Sequence, residues 1–294
     1  MSLKVCSSID DAVEYLSTGD SLLSKRHYGS GGCINETYLL TLSSGKKFFI
    51  KENDRSPENM FFKEAAGLKV LSEKFQLKVP RALVLGKEGK RDFLILEYIH
   101  SSRQENRFWE NFGSAMAQMH KAGGSDTYGF DSDNYIGSTK QINRTMPKWT
   151  DFFCINRLLF QVELARSNNL ADRSISSGVE KICNRITSLL PEPDFPSLLH
   201  GDLWSGNYMV DDKGQAVLID PAVYYGHREA DLAMTELFGG FNRIFYQSYN
   251  DLFSLDKGYA QRKDLYNLYH MLNHLNLFGS SYGGSVRSII SAYL

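Results

Sequence analysis

Apolar positions along this chain fall into two periods. Ile9, Val13 and Leu16 recur at helical spacing and predict a helix over Ser8–Leu16. Tyr38–Leu42 reads as a strand, Ser43-Ser44-Gly45 as a turn and Lys47–Lys51 as the returning strand. Glu58–Phe75 reads as an amphipathic helix with an apolar stripe of Phe61, Ala65, Leu68, Leu71 and Phe75. Val79–Leu85 and Phe93–Ile99 add two more strands, so the first third is β-rich with one prominent helix. From Phe108 onward the period turns helical: Phe108–Ala122, Trp149–Asn168, Ile175–Leu190, Ala230–Phe238 and Arg262–Phe278. Asn134–Lys148 is polar, carries Gly137 and Pro147, and reads as a loop.

Composition removes several classes of function. Of 294 residues, 42% are hydrophobic and 23% charged, which is ordinary for a globular protein. The net charge of −1 comes without a long block of one sign, so neither a nucleic-acid footprint nor a polybasic membrane patch is expected. No apolar run reaches the length of a membrane span, and no apolar N-terminal core suggests a secretory leader. Cys6, Cys33, Cys154 and Cys183 are scattered without metal-ligand or disulfide spacing, which favours a reducing, cytoplasmic setting.

Candidate chemistry concentrates between Leu199 and Asp220. Tyr208–Val210 and Ala216–Ile219 read as short strands flanking Asp211-Asp212-Lys213-Gly214. A two-residue turn at Lys213-Gly214 would pair 212 with 215 and 210 with 217, and would set Asn207 opposite Asp220. Asp202 lies just before, in a glycine-containing loop. Three oxygen-bearing side chains would then converge, and hard cations such as Mg²⁺ take oxygen ligands and bridge phosphates.

Glu64 supports a phosphate-handling site. On a helix it shares a largely apolar face with Met60, Phe61 and Leu68, and a carboxylate there requires a partner. Lys51, at the end of the strand FFIK, is the natural one. Upstream, Gly29-Ser30-Gly31-Gly32-Cys33-Ile34-Asn35 offers backbone N–H groups that can approach an anion, or it is simply a flexible loop. Cys33 is either a small residue chosen for fit or a thiol whose oxidation would block a nucleotide.

The spacing H-G-D-x-x-x-x-N followed by I-D resembles the catalytic loop and metal site of kinases. Gly201 stands where protein kinases carry Arg, Pro221-Ala222 follows Asp220 where they carry Phe-Gly, and no A-P-E follows. The pattern is that of aminoglycoside-phosphotransferase-like small-molecule kinases. Within these, HGDLWSGN, IDPAVYYGHREADLAMTELFGGF and LYHMLNHLNLFG are similar to the fructosamine-3-kinase (ketosamine kinase) family, from about Gly29 to the C-terminus.

The resemblance implies an α+β, two-lobed protein-kinase-like fold: a small β-rich N-lobe with one key helix over 1–99 and a larger, mainly helical C-lobe over 100–294. It implies ATP and Mg²⁺, with the cleft where the lobes meet. Asp202 would accept the proton of the attacking hydroxyl, and Asn207 and Asp220 would hold Mg²⁺. Lys51, positioned by Glu64, would meet the α- and β-phosphates. Gly31, Gly32 and Cys33 would lie over the phosphates, and backbone groups of Glu97, Tyr98 and Ile99 would face adenine. Trp204 would stack on the sugar or pack in the core, and Asp231 would support the catalytic loop. The implied substrate is a ketosamine, free or protein-bound, phosphorylated on the C3 hydroxyl of a ribulosamine- or fructosamine-type sugar in repair of glycated amines. Rival readings are an aminoglycoside or choline kinase on the same scaffold, and a nucleotide-binding pseudokinase. The presence of Lys51, Asp202, Asn207 and Asp220 argues against the last.

Overall fold

The computed structural model describes residues 3–28, 34–74 and 77–294. The chain forms two compact units, Met1–Asn106 with Met209–Ile219, and Arg107–Tyr208 with Asp220–Leu294.

The first unit is built on a six-stranded sheet. Its strands are β1 (Lys4–Cys6), β2 (Leu22–His27), β3 (Glu36–Leu42), β4 (Lys47–Asn53), β5 (Ala82–Glu88) and β6 (Arg91–Glu97), in the order β1-β5-β6-β4-β3-β2. Only β1 runs parallel to its neighbour, β5. Helix α1 (Ile9–Leu16) is capped by Ser8, whose side chain accepts from the Asp11 N–H. It buries Ile9 and Val13 against Leu40, Ile50, Val84, Phe93 and Ile95 of the sheet. Helix α2 (Met60–Lys74) buries the expected stripe of Phe61, Ala65, Leu68 and Leu71, whereas Phe75 lies outside the described residues.

The second unit is mainly helical. Helix α3 (Phe108–Lys121) is followed by a region where the structure departs from the expected loop. Within Asn134–Lys148, β7 (Asn134–Ile136) and β8 (Thr139–Gln141) form a small hairpin. Three of its polar residues, Asn134, Gln141 and Asn143, are buried and satisfied by one another and by backbone, while Lys140 and Arg144 stay exposed. For those three, polarity marks an interior hydrogen-bond network rather than exposure.

The expected helix over Trp149–Asn168 is present as α4 (Trp149–Phe152), a π-helical stretch (Phe153–Leu159) and α5 (Phe160–Ser167). Ile175–Leu190 is divided into α6 (Arg173–Asn184) and α7 (Ile186–Leu189). Strand β9 (Ser197–Leu199) leads into the motif. The hairpin β10 (Tyr208–Val210) and β11 (Ala216–Leu218) follows, then β12 (Tyr224–Gly226), which pairs antiparallel with β9. Helices α8 (Glu229–Leu237), α9 (Arg243–Leu252), α10 (Tyr259–Phe278) and α11 (Gly283–Ala292) complete the unit; α9 and α11 were not expected from the pattern. The core gathers Trp149, Phe152, Tyr224, Tyr266 and Leu272. No helix among the described residues is long and apolar enough to cross a membrane.

Candidate active site

In the first unit, β4 carries Lys51 and α2 carries Glu64 at its fifth residue. Lys51 Nζ donates to Glu64 Oε1 at 2.6 Å, and the two side chains are 5% and 10% exposed. A lysine this buried is held by a carboxylate rather than by water. At the end of β6, the Glu97 N–H donates to the Arg81 carbonyl at 2.9 Å, so that group is committed within the sheet. Beyond it, Tyr98 meets Tyr28 edge-on at 5.8 Å and Ile99 is buried. Gly31, Gly32 and Cys33 lie outside the described residues.

In the second unit, Asp231 in the first turn of α8 organises the segment after β9. Its Oδ2 accepts from the His200 N–H at 2.7 Å and its Oδ1 from the Gly201 N–H at 2.9 Å. His120 Nε2 donates to the same carboxylate at 3.3 Å, and His120 Nδ1 lies 2.8 Å from the Tyr249 hydroxyl. Burial would raise the Asp231 pKa, but His120, His200 and the Gly201 N–H outweigh it and hold the carboxyl below its ordinary value.

Gly201 has φ +83°, and a Cβ there would lie 2.0 Å from the Ala222 carbonyl oxygen. An Arg of the protein-kinase kind has no room. The Ala222 N–H donates to the His200 carbonyl at 2.8 Å, which lays the chain after Asp220 alongside the loop that carries Asp202.

Asp202 and Asn207 come together, and the charge of Asp220 acts on Asp202. Asn207 Nδ2 donates to the Asp202 backbone carbonyl at 2.7 Å and to Asp202 Oδ2 at 3.0 Å. With its nitrogen committed to Asp202, the amide oxygen is the atom Asn207 can offer a cation. Asp220 is exposed and takes φ +56°, a left-handed conformation uncommon outside glycine and typical of constrained sites. Asp202 is pushed up to about 7, first by burial and then by the charges of Asp220 and Asp231, against the opposing Asn207 hydrogen bond.

The hairpin that joins these residues differs in register from the expectation. The Asp211 N–H donates to the Gln215 carbonyl and the Gly214 N–H to the Asp211 carbonyl, both at 2.9 Å. The loop is therefore three residues, Asp212-Lys213-Gly214, with Gly214 at φ +70°. The cause is Asp211, whose Oδ1 accepts from the N–H groups of Lys213 and Gln215. Asn207 and Asp220 are thus not direct cross-strand partners.

The family model for fructosamine kinase matches residues 7–294. The chain belongs to the fructosamine kinase family. A Synechocystis protein described as a ketoamine kinase is 41% identical over 274 residues, covering 92% of this chain and 91% of that protein. The chloroplastic protein-ribulosamine 3-kinase of Oryza sativa subsp. indica is 41% identical over 269 residues, covering 90% and 77%. Among solved structures, a Haemophilus somnus protein described as a fructosamine-3-kinase superposes with a TM-score of 0.88 at 30% identity, covering 98% and 97%. The aminoglycoside phosphotransferase APH(4)-Ia superposes at 0.61 with 16% identity, covering 96% and 98%. The fold is therefore the α+β, protein-kinase-like one shared with that enzyme, and the chain is a phosphotransferase.

Several supporting residues in this family member escaped the sequence reading. Asn134 Nδ2 donates to the Val223 carbonyl at 2.8 Å, and Gln141 Nε2 to the Ala222 carbonyl at 2.9 Å. Tyr269 in turn donates its hydroxyl to Gln141 at 2.8 Å. Arg157, fully buried on the π-helical stretch, donates to Asn143 and lies 4.0 Å over the Tyr224 ring. These groups fix the backbone just after Asp220. A usable signal was Arg157, which with Asn156 interrupts the apolar run Phe152–Phe160.

Trp204 meets Phe238 at 5.8 Å, while Tyr224 and Tyr225 are core residues. His274 donates from Nδ1 to the carbonyl of His270 at 2.8 Å. His227, Glu229 and Asp256 also cluster, but Arg262 holds both Glu229 oxygens.

Proposed function

We propose that this kinase transfers the γ-phosphoryl group of ATP to a sugar hydroxyl, expected at C3, of ketosamines such as ribulosamines and fructosamines, in repair of glycated amines. The observation that carries the reading is the Asp202–Asn207 pair beside Asp220, held from behind by Asp231. The substrate class rests on the family and on what its relatives are named for.

Asp202 accepts the proton of the attacking hydroxyl, and its raised pKa suits a group that must take and release a proton near neutrality. An amide oxygen and a carboxylate are hard ligands of the kind Mg²⁺ takes, so Asn207 and Asp220 fit the metal. Bound there, Mg²⁺ would neutralise charge on the triphosphate. Lys51, oriented by Glu64, pairs with the α- and β-phosphates. Gly31, Gly32 and Cys33 cover the phosphates. Backbone groups of Glu97, Tyr98 and Ile99 face adenine; with the Glu97 N–H donating to Arg81, the contribution of Glu97 is its carbonyl oxygen. Trp204 stacks on the sugar. Cys6, Cys154 and Cys183 are free thiols, consistent with a reducing, cytoplasmic compartment.

The test incubates the protein with ATP, Mg²⁺ and a panel of synthetic ketosamines, aminoglycosides and choline, and identifies product by ³¹P NMR. A ketosamine 3-phosphate is expected. Turnover of an aminoglycoside or choline with none of any ketosamine would overturn the assignment.

A further inference from the structure

A file of aromatic rings runs outward from the Asp202 loop within the second unit. Trp204, two residues past Asp202, meets Phe238 at 5.8 Å; Phe238 meets His274 at 5.1 Å; His274 meets Tyr282 at 5.2 Å. The file opens on a hollow of about 510 Å³. Its wall includes Phe238, Met271, Tyr282 and Ile289, with the hydroxyls of Ser281 and Ser285. Phe238 is 36% exposed, so the surface is reachable from solvent.

Helix α10, which carries Met271 and His274, also carries Tyr269, whose hydroxyl donates to Gln141, and Gln141 Nε2 donates in turn to the Ala222 carbonyl, two residues past Asp220. Burial lowers the His274 pKa, so the file presents an uncharged imidazole at neutral pH.

We propose that this hollow is the subsite for the amine-derived part of the ketosamine, and that it favours amines bearing an apolar or aromatic group. The inference rests on the ketosamine reading. In a ketosamine the nitrogen hangs on C1, next to the ketose carbons that would meet Asp202, so the amine substituent must extend away from the reacting hydroxyl. The ring file offers it a path, and Trp204 offers its π-face to the protonated nitrogen. The hollow is the size of a small-ligand pocket, and its walls suit a phenyl or butyl group better than a second charge.

The test compares two substrates on one preparation: 1-(benzylamino)-1-deoxyfructose and 1-amino-1-deoxyfructose, each with ATP and Mg²⁺. The unaltered protein should favour the benzyl compound by at least about tenfold in kcat/KM, the scale of a few methylenes in an apolar pocket. Ser285→Phe, at an exposed position, should fill the hollow and lower that ratio about tenfold, and Tyr282→Ala should lower it as well. Loss of folded protein cancels in the ratio. A ratio near one in the unaltered protein, or one that neither variant moves, overturns the subsite. Turnover of neither ketosamine overturns the reading beneath it, a distinguishable result.

Discussion

Asp202 must be ionised to accept a proton, and its surroundings decide when it is. Burial first, then Asp220 and Asp231, raise its pKa from 3.8 to about 7. The value of kcat/KM should therefore be level above neutrality and fall about tenfold per pH unit well below it. A profile flat to pH 5 would remove Asp202 as the base. Asp202→Asn should cut turnover by at least about a hundredfold while nucleotide still binds. The same variant carries a stability signature. The folded state holds this proton more tightly than the unfolded chain, so ionising Asp202 costs stability as pH rises from about 4 to about 7. Asp202→Asn should thus melt higher than the parent at pH 8, with the gap closing toward pH 4. Thermal unfolding at the two pH values tests this, and a lower Tm at pH 8 would contradict it.

At the scale of elements, the site depends on two tight backbone turns. Gly201→Ala would place a Cβ 2.0 Å from the Ala222 oxygen in a left-handed conformation. About 2–4 kcal/mol of destabilisation is expected, with a matching fall in Tm and loss of activity. An unchanged Tm would mean that the backbone relaxes freely there. Asp211→Ala should cost about 1–3 kcal/mol, read in urea unfolding, because Asp211 accepts from Lys213, Gln215 and Lys78. Asp211 also shows what was legible in the sequence and what was not. Both strands of the hairpin followed from YMV and AVL, but its register did not, because a side chain bonding its own turn changes the loop length without changing the apolar pattern. Likewise Lys51–Glu64 was legible because a carboxylate on an apolar helix face demands a partner. Asp202, Asn207 and Asp220 were marked by their spacing, and Asp231 by the family resemblance of the segment that holds it. His120 and Gln141 act from 111 and 81 residues away, on Asp231 and on the Ala222 carbonyl, and no local pattern announces such contacts. Helix α9 was obscured because its buried residues are only Phe245 and Tyr249 among polar neighbours.

The whole chain is threaded so that the hairpin Met209–Ile219, far along the sequence, belongs to the first unit. There the Leu218 N–H donates to the Lys78 carbonyl at 2.9 Å, the Ser102 N–H to the Val210 carbonyl at 3.1 Å, and the Ser102 hydroxyl to the Asp211 carbonyl at 2.6 Å. Val217 is fully buried and bridges Lys78 in parallel. A fragment ending at Asn106 would leave those backbone groups unmet and lose the burial of Val217. Residues 1–106 alone should therefore be less stable than the same segment joined through a flexible linker to 209–219, by roughly 2–4 kcal/mol for one buried valine and several hydrogen bonds. Urea unfolding of the two fragments measures the difference. Equal midpoints would show that the hairpin rests on the first unit without supporting it. A higher midpoint for the linked form would mean that this hairpin contributes to the stability of the unit that carries Lys51.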